Sequence, residues 1–538
     1  MTLLPVALLN QEQVKNKTSI IRNFKIHYKR PFLCKSEVAV SSSIALIITI
    51  SLILVTITSN SNLLFISYKE TYGQEEASNV INVSHNNGSS VLFASGATIG
   101  SQAQYFARAQ NNGNIAASGN NVYVVWMDNT TSTGSYNIFF AQSNDNGTTF
   151  SEPIKLSNST LAILPQVAVS GNNVYVVWMD YYLESNFEIF FTKSVDGGKT
   201  FADPIDISST PQTESVDPQI TASGDSAYVV WSEHVLEGAS VFSPNALGPG
   251  DIFFSRISNI GSSQPVNLSN NPGDSYSPRV SVTGATAYVV WTDDTPGNSD
   301  VYFERIRDKG STLDGWLDVS ENPGEDRYPH MAISGSNVYI LWRNLLKNES
   351  GSPATQLQLI LSQDGGYSFG NVSALPPDTP LPDYPKIAVS KDDVYVIWED
   401  ASVGNLNVYL TKGNYTGITS ITNDSTEAFP FYWNMSQENT GNSSNAQVAV
   451  SGNNVYVVWN DNTPGDYEIY LVSSNNSGEA YSDILNLSNN DDSSLYPKII
   501  TSQNGGAYVL WQDYTTANGT SDVLFKKITL SSTPPPLQ

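Results

Sequence analysis

The strongest constraint on the fold of this chain is a nine-residue stretch, Asn-Asn-Val-Tyr-Val-Val-Trp-Met-Asp, at Asn120–Asp128. It returns at Asn172–Asp180 and, with one change, at Asn453–Asp461. Looser copies end at five further tryptophans, Trp231, Trp291, Trp342, Trp398 and Trp511. Successive tryptophans of these eight copies are 52, 53, 60, 51, 56, 61 and 52 residues apart. A period in this range indicates a repeat architecture in which each copy forms one supersecondary unit.

Each repeat contains four short runs of β-forming residues. In the second repeat these runs are Gln166–Ser170, Val174–Met179, Glu188–Lys193 and Pro204–Ser208. A Gly-Asn-Asn sequence joins the first two runs, which is typical of a hairpin turn. Four antiparallel strands in about 50 residues describe a β-propeller blade better than a sandwich or a helical solenoid.

The two ends of the repeat region predict that the propeller closes. The last repeat holds three strands, 497–501, 507–512 and 522–528, and lacks a fourth. Asn79–Ser84, which precedes the first repeat, resembles the missing strand. If this segment pairs with the last repeat as its fourth strand, the ring closes and no open sheet edge remains there. We therefore predict an all-β propeller of eight four-stranded blades, with seven blades as the alternative if one repeat forms none.

The N-terminal segment predicts export. Val38 to Ile57 is a 20-residue run without charge, long enough as a helix to span a bilayer. Basic residues precede it, which places the N-terminus in the cytoplasm and the propeller outside. A cleavable signal peptide is the alternative, and the protein is then secreted. The predicted segments are a basic leader (1–37), a transmembrane anchor (38–58), a tether (59–78), the propeller (79–530) and a Pro-rich tail (531–538).

Charge and cysteine content limit the function further. Seven of the 26 Lys and Arg and two of the 51 acidic residues precede residue 59, which leaves 19 basic and 49 acidic groups, a net charge of −30. A body this acidic argues against nucleic acid as a partner, because phosphate binding needs Lys and Arg.

The single cysteine, Cys34, lies in the leader, so no disulfide holds the predicted propeller.

A second motif follows the third strand of several repeats. Full copies lie at Ser143–Phe150, Ser194–Phe201 and Ser362–Phe369, and a weaker one lies at Ser474–Tyr481. These copies resemble the Asp-box (BNR) repeat, Ser-x-Asp-x-Gly-x-Thr-Phe/Trp, of sialidases and other propellers. The resemblance implies a structural turn between the third and fourth strands, on the face away from the ligand site. Ser and Asp side chains bond to backbone N–H groups in such a turn, and Gly takes a positive φ. The full copies comprise Ser143, Asp145, Gly147 and Phe150; Ser194, Asp196, Gly198 and Phe201; and Ser362, Asp364, Gly366 and Phe369.

One polar residue per repeat is predicted to line the ligand face of the central channel. Each follows the position, usually proline, that opens the first strand. The eight residues are Asn114, Gln166, Gln219, Arg279, His330, Lys386, Gln447 and Lys498. Five of them, Gln166, Gln219, Lys386, Gln447 and Lys498, are predicted to bind ligand.

The long connection 423–446 carries Phe431, Tyr432 and Trp433, which are predicted to lie on the same face as the channel entrance. Aromatic side chains exposed on a loop can stack on sugar rings or on a protein partner. The alternative is a loop that buries its aromatics in a small core of its own.

Arg279, Arg327 and Arg343, with His330 nearby, form the best candidate for an anion clamp. The resemblance to sialidases implies three arginines on the substrate carboxylate, one usually in an Arg-Ile-Pro motif, beside a Tyr/Glu nucleophile pair. This chain has no Arg-Ile-Pro, and no catalytic set can be carried over residue by residue. Pairing of the arginines with Glu325, Asp326 or Asp293 is the preferred interpretation.

Carboxylates recur two residues after the repeat tryptophan. Asp128, Asp180, Asp293 and Asp461 are candidate Ca²⁺ ligands, whereas Asx-type turns at strand ends are the simpler interpretation.

Three functional hypotheses follow. The first is a membrane-anchored, non-catalytic module that binds glycans or cell-envelope proteins. The second is a sialidase-like exo-glycosidase acting on acidic sugars. The third is a Ca²⁺-dependent adhesion module.

Overall fold

A computed structural model describes residues 75–85, 90–91, 114–129, 135–182, 186–210, 212–236, 247–258, 261–295, 297–322, 324–347, 353–375, 382–401, 404–414, 429, 432–437, 439–515 and 520–530. They belong to a unit that runs from Tyr68 to Gln538 and form eight antiparallel sheets without a helix among them. The all-β propeller of eight four-stranded blades is confirmed.

The first strand of each blade lies innermost, and neighbouring first strands contact one another around the channel, including those of blades eight and one. In blade one this strand is split into Ser90–Val91 and Ile115–Ser118, both paired with the second strand. In blades two to eight the first strands are Ala162–Ser170, Thr213–Ser223, Ser275–Thr283, Glu325–Ser334, Pro382–Ser390, Ser443–Ser451 and Ser493–Thr501.

The second strands carry the repeat tryptophans, and the third strands pair with their outer edges. The second strands are Asn121–Asp128, Asn173–Tyr182, Ser226–Leu236, Thr286–Asp293, Asn337–Lys347, Asp393–Asp400, Asn454–Asp461 and Ala507–Thr515. The third strands are Asn137–Ser143, Asn186–Ser194, Leu247–Ser258, Asp300–Arg307, Pro353–Ser362, Asn407–Asn414, Glu468–Ser474 and Thr520–Leu530.

The fourth strands are short and lie at the outer edge. In blades one to seven they are Ile154–Lys155, Ile205–Asp206, Val266–Asn267, Leu317–Asp318, Ser373–Ala374, Tyr432–Asn434 and Leu485–Asn486. Two-residue strands at Gly261–Ser262 and Thr312–Leu313 extend the third strands of blades three and four. Short edges of this kind offer little template for pairing with another chain.

The predicted closure of the ring is confirmed. Ile81–Asn82 pairs with Phe525 and Leu524 as the fourth strand of blade eight, and Val83 N donates to Val523 O at 2.9 Å. The pairing also extends into the predicted tether, because Glu75–Ala77 pairs with the end of the same third strand.

The eight tryptophans pack between blades, as predicted, and each is at most 1% exposed. Trp126 of blade one lies in the same apolar cluster as Leu510 and Phe525 of blade eight. In six blades the indole also stacks on an aromatic ring of the third strand, as Trp178 does on Phe190 at 6.1 Å. Apolar packing between neighbouring sheets therefore holds the ring together.

In the part of the chain that the structure describes, no helical segment has the length and apolarity that a membrane span requires. The predicted anchor, residues 38–58, lies outside that part, as do the leader and the Pro-rich tail.

Candidate functional site

The channel entrance is shaped by a bulge in the first strand of blades two to eight. In each, the register with the second strand shifts, as between Ile163 and Gln166. One residue of each bulge has a positive φ, and in six blades a proline follows it. These residues are Leu164, Asp217, Ser277, Tyr328, Tyr384, Asn445 and Tyr496. Left-handed backbone at non-glycine residues stores strain, and such residues concentrate at functional sites.

Seven of the eight predicted channel residues follow this bulge, and Asn114 holds the corresponding position in blade one. Two of the eight join neighbouring blades. Asn114 Nδ2 donates to Pro165 O at 3.3 Å, and Gln166 Nε2 donates to Pro218 O at 2.7 Å. Below this level the channel holds a cavity of about 530 Å³ lined mostly by apolar side chains, both small ones such as Ala168 and branched ones such as Ile333 and Ile500. We call the eight residues (Asn114, Gln166, Gln219, Arg279, His330, Lys386, Gln447 and Lys498) the channel ring.

The cations of the channel ring, Arg279, Lys386 and Lys498, take the same register position in the innermost strands of blades four, six and eight. Burial, followed by the positive charges of Arg279 and Lys498, lowers the pKa of Lys386 to about 7, while Glu399 opposes the shift. Burial and the charges of Lys386 and Arg279 also lower the pKa of His330 well below its usual value, which keeps the imidazole neutral.

Above the ring, tyrosines and charged groups of blades five and six form the channel mouth. The Arg343 guanidinium donates to Asp383 Oδ1 at 2.6 Å and lies over the Tyr328 ring, 5.2 Å from its centroid. Tyr384 is 41% exposed. Asp383 precedes Tyr384 directly and is paired with Glu399 in the strand register of blade six. Burial, followed by the charges of Asp383, Tyr328 and Glu399, raises the pKa of Tyr384.

The channel mouth was largely missed by the sequence reasoning. Tyr328, Tyr384 and Tyr496 precede a proline, and that X-Pro pattern at the start of each first strand is the signal that could have found them. No comparable sequence pattern marks Glu399 as a residue of the channel mouth. It accepts a hydrogen bond from Ala446 N at 3.1 Å only because blade seven has alanine where six other blades have proline.

The three arginines of the predicted anion clamp each face a carboxylate. Arg279 is buried and lies 3.6 Å from Asp217, Arg327 donates to Glu325 at 2.6 Å, and Arg343 pairs with Asp383. Pairing with one of the anticipated carboxylates is found for Arg327, whereas Arg279 and Arg343 face carboxylates that were not anticipated. Arg327 and Arg343 are neighbours in the strand register of blade five.

The carboxylates proposed as Ca²⁺ ligands lie on four separate blades, each at or near the end of a second strand. Asp180 and Asp293 accept hydrogen bonds from the indole N–H of Trp178 and Trp291 in their own blades. Asp128, Asp293 and Asp461 accept from serines of the adjacent first strands. Among the described residues, no group of three or more His, Cys, Asp or Glu side chains is arranged to hold a metal. The Ca²⁺ site remains a prediction.

The predicted position of the aromatic loop is corrected by the structure. Tyr432 and Trp433 lie in the fourth strand of blade six, paired with Thr411 and Leu410 at the outer edge of the sheet. Trp433 packs edge-on against Tyr481, with ring centroids 5.9 Å apart. The long insertion precedes this strand and does not follow it, so the aromatic pair does not reach the channel mouth. Phe431 lies outside the described residues.

The Ser-x-Asp-x-Gly turns have one geometry, on the opposite side of the blades from the channel mouth. Ser194 Oγ donates to Asp196 Oδ1 at 2.6 Å and accepts from Gly198 N at 2.8 Å. Asp196 also accepts from Lys199 N and Thr200 N. The same bonds recur at Ser143–Phe150 and Ser362–Phe369, and in part at Ser474–Tyr481. These residues connect the third and fourth strands and have a structural role.

A group of three buried glutamates lies between blades two and three, outside the channel. Glu214 is fully buried, and its carboxylate accepts from Phe187 N at 2.8 Å. Burial raises the pKa of Glu214 to about 8, and the nearby charges of Glu188 and Glu233 act in the same direction. Glu214 is therefore protonated in the folded protein at neutral pH, whereas in the unfolded chain it ionises near its ordinary value.

We expect the stability of the propeller to fall as the pH rises from 5 to 8.5. Between the unfolded and folded pKa values the folded state binds the proton and the unfolded state does not, so each step up in pH favours unfolding. Glu214→Gln removes this titration and retains an acceptor for Phe187 N. The variant should match the wild type in Tm at pH 5 and exceed it by several degrees at pH 8.5, as measured by calorimetry. The exposed Glu152→Gln should change neither value, and an equal loss of Tm at both pH values in Glu214→Gln would contradict the assignment.

No protein-family model matches the chain, and no curated protein is similar to it in sequence. Among solved structures, the polysaccharide lyase Uly1 superposes with a TM-score of 0.46 at 10% identity, over 76% of this chain and 99% of that one. A protein of unknown function from Dyadobacter fermentans gives 0.38 at 14% identity, over 69% and 95%. Trypanosoma rangeli sialidase gives 0.34 at 12% identity, over 70% of this chain and 56% of the sialidase. At these scores and identities, none of them says what this chain binds or does.

Proposed function

We propose that this chain is a membrane-anchored, extracellular propeller of the Asp-box type that binds glycans at the channel mouth and performs no chemistry there. The observation that carries the proposal is the mouth itself. An exposed tyrosine, Tyr384, stands beside Tyr328, Arg343 and Glu399 at the entrance to the channel, above the polar channel ring. Aromatic faces with a few convergent polar groups are the usual equipment of a small-ligand site.

The strained backbone of the channel mouth supports this placement. Tyr384 has a φ of 49° and Tyr328 a φ of 57°, so two bulky side chains are held in a conformation that such residues rarely adopt. Strain of this kind is retained where the position of a side chain matters. A tyrosine already fixed in place loses little conformational entropy when a sugar stacks on its ring.

The absence of chemistry is proposed because each arginine of the predicted anion clamp already faces a carboxylate. Arg279, Arg327 and Arg343 face Asp217, Glu325 and Asp383. An exo-glycosidase acting on acidic sugars is the alternative, in which substrate binding breaks the Arg343–Asp383 pair. Hydrolysis of a fluorogenic sialoside or uronide that is lost in Arg343→Ala would favour that alternative.

The proposed location, anchored in the membrane with the propeller outside the cell, is based on the sequence. The basic leader and the uncharged run 38–57 suit an anchor with the propeller outside the cell, where glycans and cell-envelope proteins are the accessible partners. The Ser-x-Asp-x-Gly turns suit the Asp-box type, in which the motif has a structural role.

We expect Tyr384→Ala to weaken glycan binding about tenfold, because it removes the exposed stacking surface. The full chain, purified in a mild detergent, is screened on a glycan array, and hits are measured by calorimetry. Tyr432→Ala is the matched control, since Tyr432 is 45% exposed but lies at the outer edge of blade six. Binding that falls in Tyr432→Ala and not in Tyr384→Ala would move the site to the outer edge. An array without hits would contradict glycan binding and leave envelope proteins as partners.

A further inference from the structure

Lys498 is a buried cation for which the described residues provide no partner. It is 4% exposed, and in the part of the chain that the structure describes its ammonium neither donates a hydrogen bond nor faces a carboxylate. Its neighbour in the channel ring, Gln447, is 3% exposed, and no hydrogen bond of its amide is found in that same part. Burying an ammonium in this way is costly unless something compensates the charge.

The other cations of the channel ring, Arg279 and Lys386, have carboxylates beside the ring to compensate them. Arg279 lies 3.6 Å from Asp217, which also accepts from Gln219 Nε2 at 2.8 Å. Lys386 lies beside Glu399, whose charge acts on it. One positive charge, that of Lys498, is left over, so the channel ring matches a ligand with a single negative charge.

The arrangement suits a singly charged anion. Lys386, Gln447 and Lys498 are buried at the same register position in the first strands of blades six, seven and eight, which line the channel. The charge of Lys498 also acts on Lys386. The ring thus offers two ammonium groups and an amide N–H₂ to an anion that enters from the channel mouth. Charge-assisted hydrogen bonds of this type are about twice as strong as neutral ones.

We propose that Lys498, Lys386 and Gln447 form a site for one carboxylate group inside the central channel. A free small carboxylate and the carboxylate of an acidic sugar offer the same chemistry. The sugar form rests on the proposed function, with its ring on Tyr384 and its acid group in the channel.

Thermal unfolding of the full chain tests the site at constant ionic strength, with sodium acetate, sodium glucuronate, glucose and sodium chloride as probes. At a concentration of about 100 times its Kd, acetate or glucuronate should raise Tm by about 2 °C. Glucose, which has no carboxylate, should not raise it. Lys498→Met should abolish this shift, with Kd at least about tenfold weaker. It should also raise the Tm of the free protein, because it removes an uncompensated buried charge.

Two variants keep the result interpretable. Lys526→Met is the control, because Lys526 is a partly buried lysine outside the ring whose Nζ donates to Leu487 O at 2.8 Å. It should leave the carboxylate-induced shift intact. If Lys498→Met does not fold, Lys498→Gln takes its place. No shift with either carboxylate, a shift equal to that with chloride, or a shift that survives loss of Lys498 would overturn the site.

The outcomes separate this site from the proposed function. Stabilisation by acetate that depends on Lys498, without any glycan bound, supports the carboxylate site and contradicts the glycan-binding function. Glycan binding that depends on Tyr384 but not on Lys498, without stabilisation by acetate, contradicts the carboxylate site alone.

Discussion

Replacing Val83 by Asp should destabilise the propeller by about 4 kcal/mol, the largest effect expected of any single change proposed for this protein. Val83 is 0% exposed and lies in the apolar cluster that joins blades eight and one, together with Trp126, Leu510 and Phe525. A carboxylate at this position finds no cation among those residues, and the one side-chain hydrogen-bond donor among them is the neutral indole N–H of Trp126. It must therefore be buried unpaired, or the strand must leave the sheet.

Leaving the sheet would open the ring. Ile81–Asn82 is the fourth strand of blade eight and comes from the opposite end of the chain to the other three. When it detaches, the third strand of that blade becomes an open edge, and the packing of Trp126 against blade eight is exposed. Loss of one short strand thus affects the contact between two blades.

The control is Val80→Asp, the same change three residues earlier. Val80 is 39% exposed, so its replacement should change stability by less than about 0.5 kcal/mol. Urea unfolding followed by tryptophan fluorescence measures both variants. Equal stabilities of the two variants would show that the N-terminal strand does not close the ring in solution.

The architecture was predictable because it depends on a pattern repeated eight times. Each copy of Val-Tyr-Val-Val-Trp is a buried second strand, and the spacing between copies leaves room for four strands. The closing strand was also predictable, since Asn-Val-Ser at residues 82–84 matches Asn-Leu-Ser at 486–488, and in each the Ser Oγ accepts a hydrogen bond from the third strand.

Features that occur once in the chain could not be predicted in this way. The first half of the first strand of blade one is two residues, Ser90–Val91, separated from the second half by a long insertion. The fourth strand of blade six, Tyr432–Asn434, also follows an insertion, and its aromatic residues resembled an exposed loop. Neither segment is long enough to carry a strand pattern, so only pairing with its neighbours defines it.

The candidate site was predicted in part. The residues of the channel ring follow from the repeat, because one position per repeat gives one position per blade. Which of them pair depends on distances across the channel. Arg279 faces Asp217, whereas Lys498 faces no carboxylate among the described residues, and nothing in the linear order distinguishes these two cations.

Gly198→Ala should cost about 3 kcal/mol and shows why each Ser-x-Asp-x-Gly turn needs its glycine. Gly198 has a φ of 87°, which disfavours any residue with a Cβ by about 1–2 kcal/mol. A Cβ would also lie 2.7 Å from Phe140 Cζ of the preceding blade. Phe140 is itself fixed by the edge-on ring of Phe201, with centroids 4.8 Å apart, so overpacking should add about 1–3 kcal/mol.

Gly171→Ala in the same blade separates the two contributions. Gly171 also has a positive φ, 61°, but no atom lies within 4 Å of the position that a Cβ would occupy, so only the backbone cost of about 1–2 kcal/mol remains. Urea unfolding of both variants gives the steric contribution as the difference between them. Equal losses would mean that the turn does not pack against the preceding blade, and that Phe140 and Phe201 do not join blades one and two. A larger loss in Gly198→Ala would assign to this turn a role in joining neighbouring blades, in addition to its role in connecting two strands.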